Sequence, residues 1–437
     1  MPATFKETGQ WQPAEGRLAS ANEAWWRVFG DATLDALEVQ IDISNQNLKA
    51  AEAQYRAALA SVQTARSAYF PGVSAALSSS RGSAASGASG TTTTDALSLS
   101  ASWEVDVWGR VRRGVESAEA KRDASAADLA AARLSTQALL AQTYVQLRAA
   151  DEQIDLYRRT VEAYTRFLEL TRNRLAAGVA SPLDVAQAET QLGSAETQAI
   201  DLENQRAQLE HAIATLVGKM PAAFSIATDA RLPSLPHTPS LLPSTLLENR
   251  PDIVAAERRV AAANAQIGVA QAAYFPVLDL TGGLGYRAGA FAGLLSAPNR
   301  FWSLGSALAL SLFDGGARSA AVSGATAGYD QAVAAYRQAV LTAFQEVEDN
   351  LASARLLAQE SDAQARALAA ARHSREIAEN QYKAGIASAL NVVSAQTAEL
   401  SATANAVSIA SRRLQASVQL MKNAGGALPQ AAVKSGE

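Results

Sequence analysis

The chain has 437 residues, and its 38 lysines and arginines against 42 acidic residues give a formal net charge of -4, so it lacks the basic excess needed to neutralise a nucleic-acid backbone over a long footprint. It contains no cysteine, which excludes disulfides, thiolate metal sites and a cysteine nucleophile, and its three histidines, His211, His237 and His373, are too scattered for a metal site and read as surface residues. Only 18% of residues are charged and roughly a fifth are alanine, a composition suited to close-packed helices. No run approaches the roughly 18 apolar residues of a membrane-spanning helix, and the opening MPATFKETGQ is not a signal peptide. A mature exported chain and a cytosolic one both remain open at this point.

The chain is internally duplicated. Ala68-Tyr69-Phe70-Pro71 recurs as Ala273-Tyr274-Phe275-Pro276, and Ala51-Glu52 as Ala256-Glu257. Gly178, Ala180, Ser181, Leu183, Val185, Ala188 and Thr190 recur as Gly385, Ala387, Ser388, Leu390, Val392, Ala395 and Thr397. Four segments follow: a first repeat over 1–219, a proline-rich connector over 220–250, a second repeat over 251–425, and a tail over 426–437. Each repeat reads helix, strand, loop, strand, long helix, turn, helix.

In chain order, the first repeat carries strands at about 72–83 and 97–107, joined by a Gly/Ser/Thr stretch from Ser86 to Asp95. The segment from Arg110 to Ala177 has no proline and predicts one helix of about 100 Å. Its Leu140, Leu147, Ile154, Val161, Leu168 and Leu175 recur every seven residues as a coiled-coil seam, answered after Pro182 by Leu192, Ala195, Ala199, Leu202, Leu209, Ile213 and Leu216. Pro221, Pro233, Pro236, Pro239 and Pro243 make the connector extended. The second repeat carries strands at about 277–286 and 302–313, linked by Arg287 to Arg300, then a long helix from Arg318 to Ala384 with a weaker seam.

The strands have a two-residue period: Leu99, Trp103 and Val105 alternate with serines and acids, and Trp302, Leu304, Leu308 and Leu310 with small residues. A half-buried sheet in a soluble protein is one reading. The other is a membrane barrel in which these seven residues face lipid. Four strands cannot close a barrel, and an open edge in lipid leaves backbone groups unsatisfied, so several chains would share one ring. Two chains would give about eight strands and a filled interior, three about twelve and room for a lumen.

Taken together, Trp25-Trp26-Arg27-Val28-Phe29-Gly30-Asp31 with Leu34 and Leu37, Asn47-Leu48 with Ala50, Asn249-Arg250-Pro251-Asp252, Asp106-Val107-Trp108-Gly109-Arg110 and Phe313-Asp314-Gly315-Gly316 resemble the TolC superfamily of outer membrane efflux proteins, and more closely its OprM-like branch of drug-efflux outer membrane lipoproteins. The resemblance spans nearly the whole chain. It implies a mainly α fold with a transmembrane β-barrel part, forming a homotrimer with a twelve-stranded barrel in outer membrane lipid and a long periplasmic α-helical barrel. It further implies a passive conduit without enzymatic activity, cofactor or metal. The partners it implies are a periplasmic adaptor protein and an inner-membrane transporter of the resistance-nodulation-division type, with no nucleic acid.

Residue by residue, the resemblance makes Gly178, Val179, Ser181, Leu183, Gly385, Ile386, Ser388 and Leu390 the adaptor-docking tips, and Asp184, Tyr382, Arg174, Asn391 and Ser394 the periplasmic gate. Within that gate a hydrogen bond from the Tyr382 phenol to the Asp184 carboxylate is expected to hold the helix pairs closed. Many relatives carry acids where this chain has Asn391 and Ser394, which implies a weaker acidic ring. The lipoprotein branch also acylates an N-terminal cysteine, whereas this chain opens Met1-Pro2; since the matched region starts near Trp25, a trimmed N-terminus lacking its lipid anchor is expected. The competing readings are a structural coiled-coil assembly without transport, which leaves the amphipathic strands unexplained, and an outer membrane component of a protein secretion system. An enzyme has little support: Gly282-Gly283-Leu284-Gly285 lies in a strand without nucleotide-fold spacing, and a strand-to-helix turn explains Asp314-Gly315-Gly316 without a metal.

Overall fold

The computed structural model describes residues 24–83, 91–236 and 250–426. His237, Pro239, Pro243, Asn249, part of the Ser86–Asp95 stretch, the opening residues and all but the first residue of the expected tail lie outside the described residues. The elements are α1 (Ala32–Ser44), α2 (Gln46–Ser67), β1 (Gly72–Ser83), β2 (Thr91–Val105), α3 (Arg110–Ala176), α4 (Pro182–Leu216), α5 (Pro251–Ala272), β3 (Val277–Ala288), β4 (Arg300–Ala309), α6 (Ala317–Lys383) and α7 (Ala389–Asn423). The chain divides into two compact units that cut across the sequence repeats. One comprises Met1–Ala51, Leu129–Pro251 and Val340–Glu437, the other Glu52–Asp128 and Asp252–Ala339. Each repeat therefore contributes to both.

The first unit holds the largest core. A short 3-10 turn, Trp25–Phe29, buries Trp25, Trp26 and Phe29 against Leu34, Leu37 and Ile41 of α1 and against Leu140, Tyr144 and Leu147 of α3. Asp31 starts α1 by accepting from the amides of Thr33 and Leu34, at 2.8 and 3.1 Å, an N-cap that satisfies two otherwise orphaned donors. Its other oxygen accepts from the Tyr144 hydroxyl at 2.6 Å, so the carboxylate ties the N-terminal turn to the long helix. Along α3 the seven-residue seam is buried at Leu140, Leu147, Ile154 and Leu168, and opposite it Ala195, Leu202 and Ile213 of α4 are buried. Ion pairs such as Arg158–Glu203 at 3.0 Å and Arg172–Glu189 at 2.7 Å cross the exposed edge of this hairpin, where each adds at most about 1 kcal/mol.

Over its described residues 220–236 the connector is extended apart from a single turn at Pro221–Ala223. Ile226, Phe224 and Leu232 pack on the core of the first unit, and charge fixes the main chain between them. Asp151, fully buried, pairs with Arg148 at 3.1 Å and Arg206 at 2.6 Å. The two guanidiniums then donate to the carbonyls of Ala227 and Ile226, at 2.8 and 2.7 Å. The amides of Ile226 and Asp229 donate in turn to Glu210 and Asp151. Buried charges persist only when partnered in this way.

The second unit holds a four-stranded antiparallel sheet, β1-β2-β3-β4, and the helix ends that flank it. Small side chains bring α3 and α5 close enough for the Ser117 hydroxyl to donate to the Ala262 carbonyl at 3.0 Å. Two strand boundaries differ from expectation. β2 begins at Thr91, since the β-branched run Thr91–Thr94 pairs with Ser83–Ser80 of β1, and it stops at Val105 because the next residues turn to cap α3. β4 stops at Ala309, whose partner Val277 is the first residue of β3, directly after Pro276. Within the chain Leu310 has no residue of β3 left to pair with and lies outside the sheet, so its assignment as a strand residue is corrected.

Candidate functional site

The two helical hairpins turn at equivalent residues with the same backbone. At the first tip Gly178, at φ +74°, donates its amide to Leu175 at 2.9 Å while Val179 reaches back to the Arg174 carbonyl at 2.9 Å. At the second, Gly385 at φ +78° and Ile386 repeat both bonds, to Tyr382 at 3.0 Å and Gln381 at 2.8 Å. This is the Schellman termination, and only glycine enters its left-handed position without strain. Nothing lies within 4 Å of a Cβ built on either glycine, so conformation rather than space demands it. Each turn leaves large apolar side chains in solvent: Val179, Leu183, Ile386 and Leu390 are 68%, 64%, 79% and 52% exposed.

Behind the tips the expected gate residues meet differently from expectation. Ser181 and Asp184 form a capping box: the Ser181 hydroxyl accepts from the Asp184 amide, and the Asp184 carboxylate accepts from the Ser181 amide at 2.8 Å and hydroxyl at 2.9 Å. The Asp184 carboxylate is thereby engaged at its own helix start, and the predicted hydrogen bond from the Tyr382 phenol to it is not formed. Tyr382 is instead buried, its ring tilted against Phe167 with centroids 5.7 Å apart. The Arg174 guanidinium also lies over that ring, 4.4 Å from its centroid, and donates to the Tyr382 carbonyl at 3.2 Å. The contact between hairpins is therefore an arginine on a tyrosine face. A second crossing bond runs from the Gln191 amide to Thr397 at 3.0 Å. Asn391 and Ser394 are exposed and stand on the same helix as the buried Val392 and Ala395. Ser388 begins α7 without the side-chain cap that Ser181 makes.

In the sheet, cross-strand register sorts the side chains into two faces. Ala75, Leu99, Leu284 and Trp302 form one row; Trp103 pairs with Leu280, and Val105 with Leu278 and through it with Leu308. Leu304 stands opposite Gly282 on this same face. Six of the seven residues expected to face lipid therefore share one surface, with Leu310 the exception. From Leu278 to Tyr286 this face runs about 26 Å along β3 at 3.3 Å per residue, matching the apolar belt of an outer membrane barrel. The opposite face carries Ser98, Ser100, Ser102 and Glu104. Both outer strands, β1 and β4, end the sheet with unpaired edges among the described residues.

The family of outer membrane efflux proteins matches residues 39–219 and 242–426. The chain belongs to the TolC superfamily. It is 35% identical over 95% of its length to the pyoverdine export outer membrane protein OpmQ of Pseudomonas aeruginosa, covering 90% of that protein. It is 31% identical over 94% of its length to the probable efflux pump outer membrane protein TtgC of Pseudomonas putida, covering 86% of it. Among solved structures, the outer-membrane channel OprN superposes with a TM-score of 0.91 at 31% identity, over 97% of this chain and 96% of that one. This protein is thus an outer membrane efflux channel of the kind that serves tripartite pumps, extending into the periplasm. The solved channels of the superfamily are trimers with a β-barrel and an α-barrel, and its members are channels rather than enzymes.

The strand-to-helix junction motifs of this TolC-superfamily chain have a structural reason. Asp106 caps α3 by accepting from the amides of Val111 and Arg112, each at 2.9 Å. Burial pushes its pKa up, but those bonds and the Arg112 guanidinium outweigh it and hold the carboxyl below its ordinary value. Asp314 does the same for α6, accepting from Gly316 and Arg318, and the Arg318 side chain leads the same downward shift. Sequence reasoning missed Phe167 as the second wall around Tyr382. Its position seven residues before Arg174, on the face of Leu168 and Thr171, was the available signal. It also missed Phe301, an aromatic whose place in the alternation puts it on the wet face of the sheet.

Proposed function

We propose that this chain works as a passive homotrimeric conduit whose periplasmic tips dock an adaptor protein and whose hairpin contact at Arg174 and Tyr382 keeps the gate shut until docking. The observation that carries this reading is the pair of equivalent tips, each ending in exposed apolar residues beside a buried contact between hairpins. An adaptor that covers Val179, Leu183, Ile386 and Leu390 removes apolar surface from water, and only a state in which the tips have separated from Tyr382 offers a partner more of it. Binding then shifts the closed-to-open equilibrium by that difference in affinity. Asn391 and Ser394, neutral in place of acids, favour a lumen entrance that attracts cations weakly.

The driving free energy comes from an inner-membrane transporter, in our reading of the resistance-nodulation-division type, and we assign no catalysis, cofactor or metal to this chain. OpmQ exports pyoverdine and TtgC serves an efflux pump by name, which supports small organic solutes rather than folded proteins as the cargo. To test docking, Val179→Asp and Ile386→Asp are made together and export is measured in cells that express the cognate pump. Loss of export with unchanged outer membrane abundance supports the reading, and full export contradicts it.

A further inference from the structure

The wet face of the strand sheet carries one feature that a bare conduit does not need. Phe301 of β4 stands opposite Gly285, which stands opposite Ser98, so its ring lies on the hydroxyl-lined face while the adjacent Trp302 lies on the apolar one. Gly285 makes room for the ring: a Cβ there would meet the Phe301 ring at 3.1 Å and the Leu97 carbonyl at 2.2 Å. The Arg287 guanidinium lies over the ring, 5.0 Å from its centroid, and among the described residues no carboxylate pairs with it. Ring and guanidinium border an open trough of about 460 Å³ whose walls include Ser78, Ser98, Ser100 and Ser303.

Charge on this face is separated along the strands. The acids Glu104 and Asp279 are paired in register with each other, eight residues along β3 from Arg287, which is about 26 Å. Glu104 is engaged there by Arg110. Asp95, one register position from Arg287 across β2 and β3, alternates to the opposite face, so the Arg287 end is a local cation with no acid on its own face, next to an aromatic plane and a row of hydroxyls that both donate and accept. A flat aromatic group stacks on such a surface, and an attached carboxylate or sulfonate pairs with the guanidinium in its forked geometry.

We propose that Phe301 and Arg287 form a binding station for planar aromatic anions on the exit path, one in each chain. That the station faces a lumen rests on the conduit reading above; the station itself is built from residues of a single chain. It gives the strand region a preference among solutes, so that aromatic anions dwell there while aliphatic ones of equal charge pass.

The test uses the full-length protein in lipid nanodiscs, titrated calorimetrically with naphthalene-2-sulfonate and with propane-1-sulfonate, empty nanodiscs being subtracted. The expected result is saturable binding of the aromatic probe at least tenfold tighter than of the aliphatic one. Phe301→Leu and Arg287→Gln should each weaken the aromatic probe tenfold or more, and Phe301→Tyr, which keeps the ring, should bind as the parent does. Equal affinity for the two probes, or parental affinity in both Phe301→Leu and Arg287→Gln, overturns the proposal. Ion conductance of the same proteins in planar bilayers reads the conduit separately: a station that binds in a protein that never conducts would overturn the conduit and leave the station standing.

Discussion

Removing the Arg174 side chain should loosen the gate, and the size of the effect follows from the contacts it makes. The guanidinium lies 4.4 Å over the buried Tyr382 ring, worth about 1 kcal/mol for a partly desolvated cation on an aromatic face. Its bond to the Tyr382 carbonyl at 3.2 Å is long for a charged donor and adds about 1 kcal/mol. Arg174→Ala therefore shifts the closed-to-open balance by about 2 kcal/mol per chain, roughly thirtyfold, and by about three times that free energy if three chains open together. Single-channel recording in planar bilayers should show a large rise in open probability. Tyr382→Phe should behave as the parent, because the contact uses the ring and the main-chain carbonyl and not the hydroxyl. If Arg174→Ala leaves gating unchanged, or if Tyr382→Phe opens the channel as strongly, the arginine-on-ring account is wrong and a phenol-to-carboxylate latch must be reinstated.

Other substitutions probe other parts of the molecule. Glu38 of α1 is fully buried with both carboxylate oxygens lacking hydrogen-bond partners, and burial, then Asp42 and Asp35, push its pKa well above the ordinary carboxylate value. A group whose folded pKa is raised costs nothing below its unfolded pKa and progressively more as pH rises toward the folded value. The protein's thermal stability should therefore decline from pH 5 to pH 8 and Glu38→Gln should flatten that decline; an unaltered pH profile in Glu38→Gln would refute the assignment. Gly385→Ala, at φ +78°, should destabilise by about 1–2 kcal/mol, while Gly324→Ala, in open space near the start of α6, should stabilise by up to about 1 kcal/mol, both read by denaturation midpoints. Asn391→Asp should strengthen block by multivalent cations in conductance measurements, an effect excluded if the parent is already blocked as strongly. Leu304→Arg, placing a charge on the apolar face that the conduit reading turns to lipid, should cost about 2–4 kcal/mol if that side chain sits near the bilayer midplane and reduce outer membrane insertion, whereas Ser303→Arg on the other face should insert normally.

Most of the fold was written in periodicities. The seven-residue recurrence from Leu140 to Leu168 marks a buried seam because helix geometry repeats nearly every two turns, and the strand alternation at Leu99 and Trp103 assigns a face for the same reason. The duplication located both tips, since a left-handed glycine position leaves a glycine in the sequence wherever it recurs. Pairwise contacts were less legible. Asp184 was expected to reach Tyr382, but a carboxylate three residues after an N-cap serine has a nearer partner in that serine. Strand ends failed likewise: Leu310 and Leu312 continue the alternation beyond Ala309, yet within the chain β4 ends where β3 begins, and the position of Pro276 just before β3 cannot be seen from β4. The charge network that pins the connector joins Arg148 and Asp151 of α3 to Arg206 of α4 and to the connector main chain, and such a meeting of separate segments leaves no periodic signal.

In the conduit we propose, one chain supplies four strands to a ring closed by three. Electron microscopy of the protein in lipid nanodiscs tests it directly. The account predicts particles with threefold symmetry in which β4 of each chain lies beside β1 of the next and Trp302, Leu304 and Leu308 face the lipid. Single chains in the disc, or a sheet lying outside the bilayer, would contradict it.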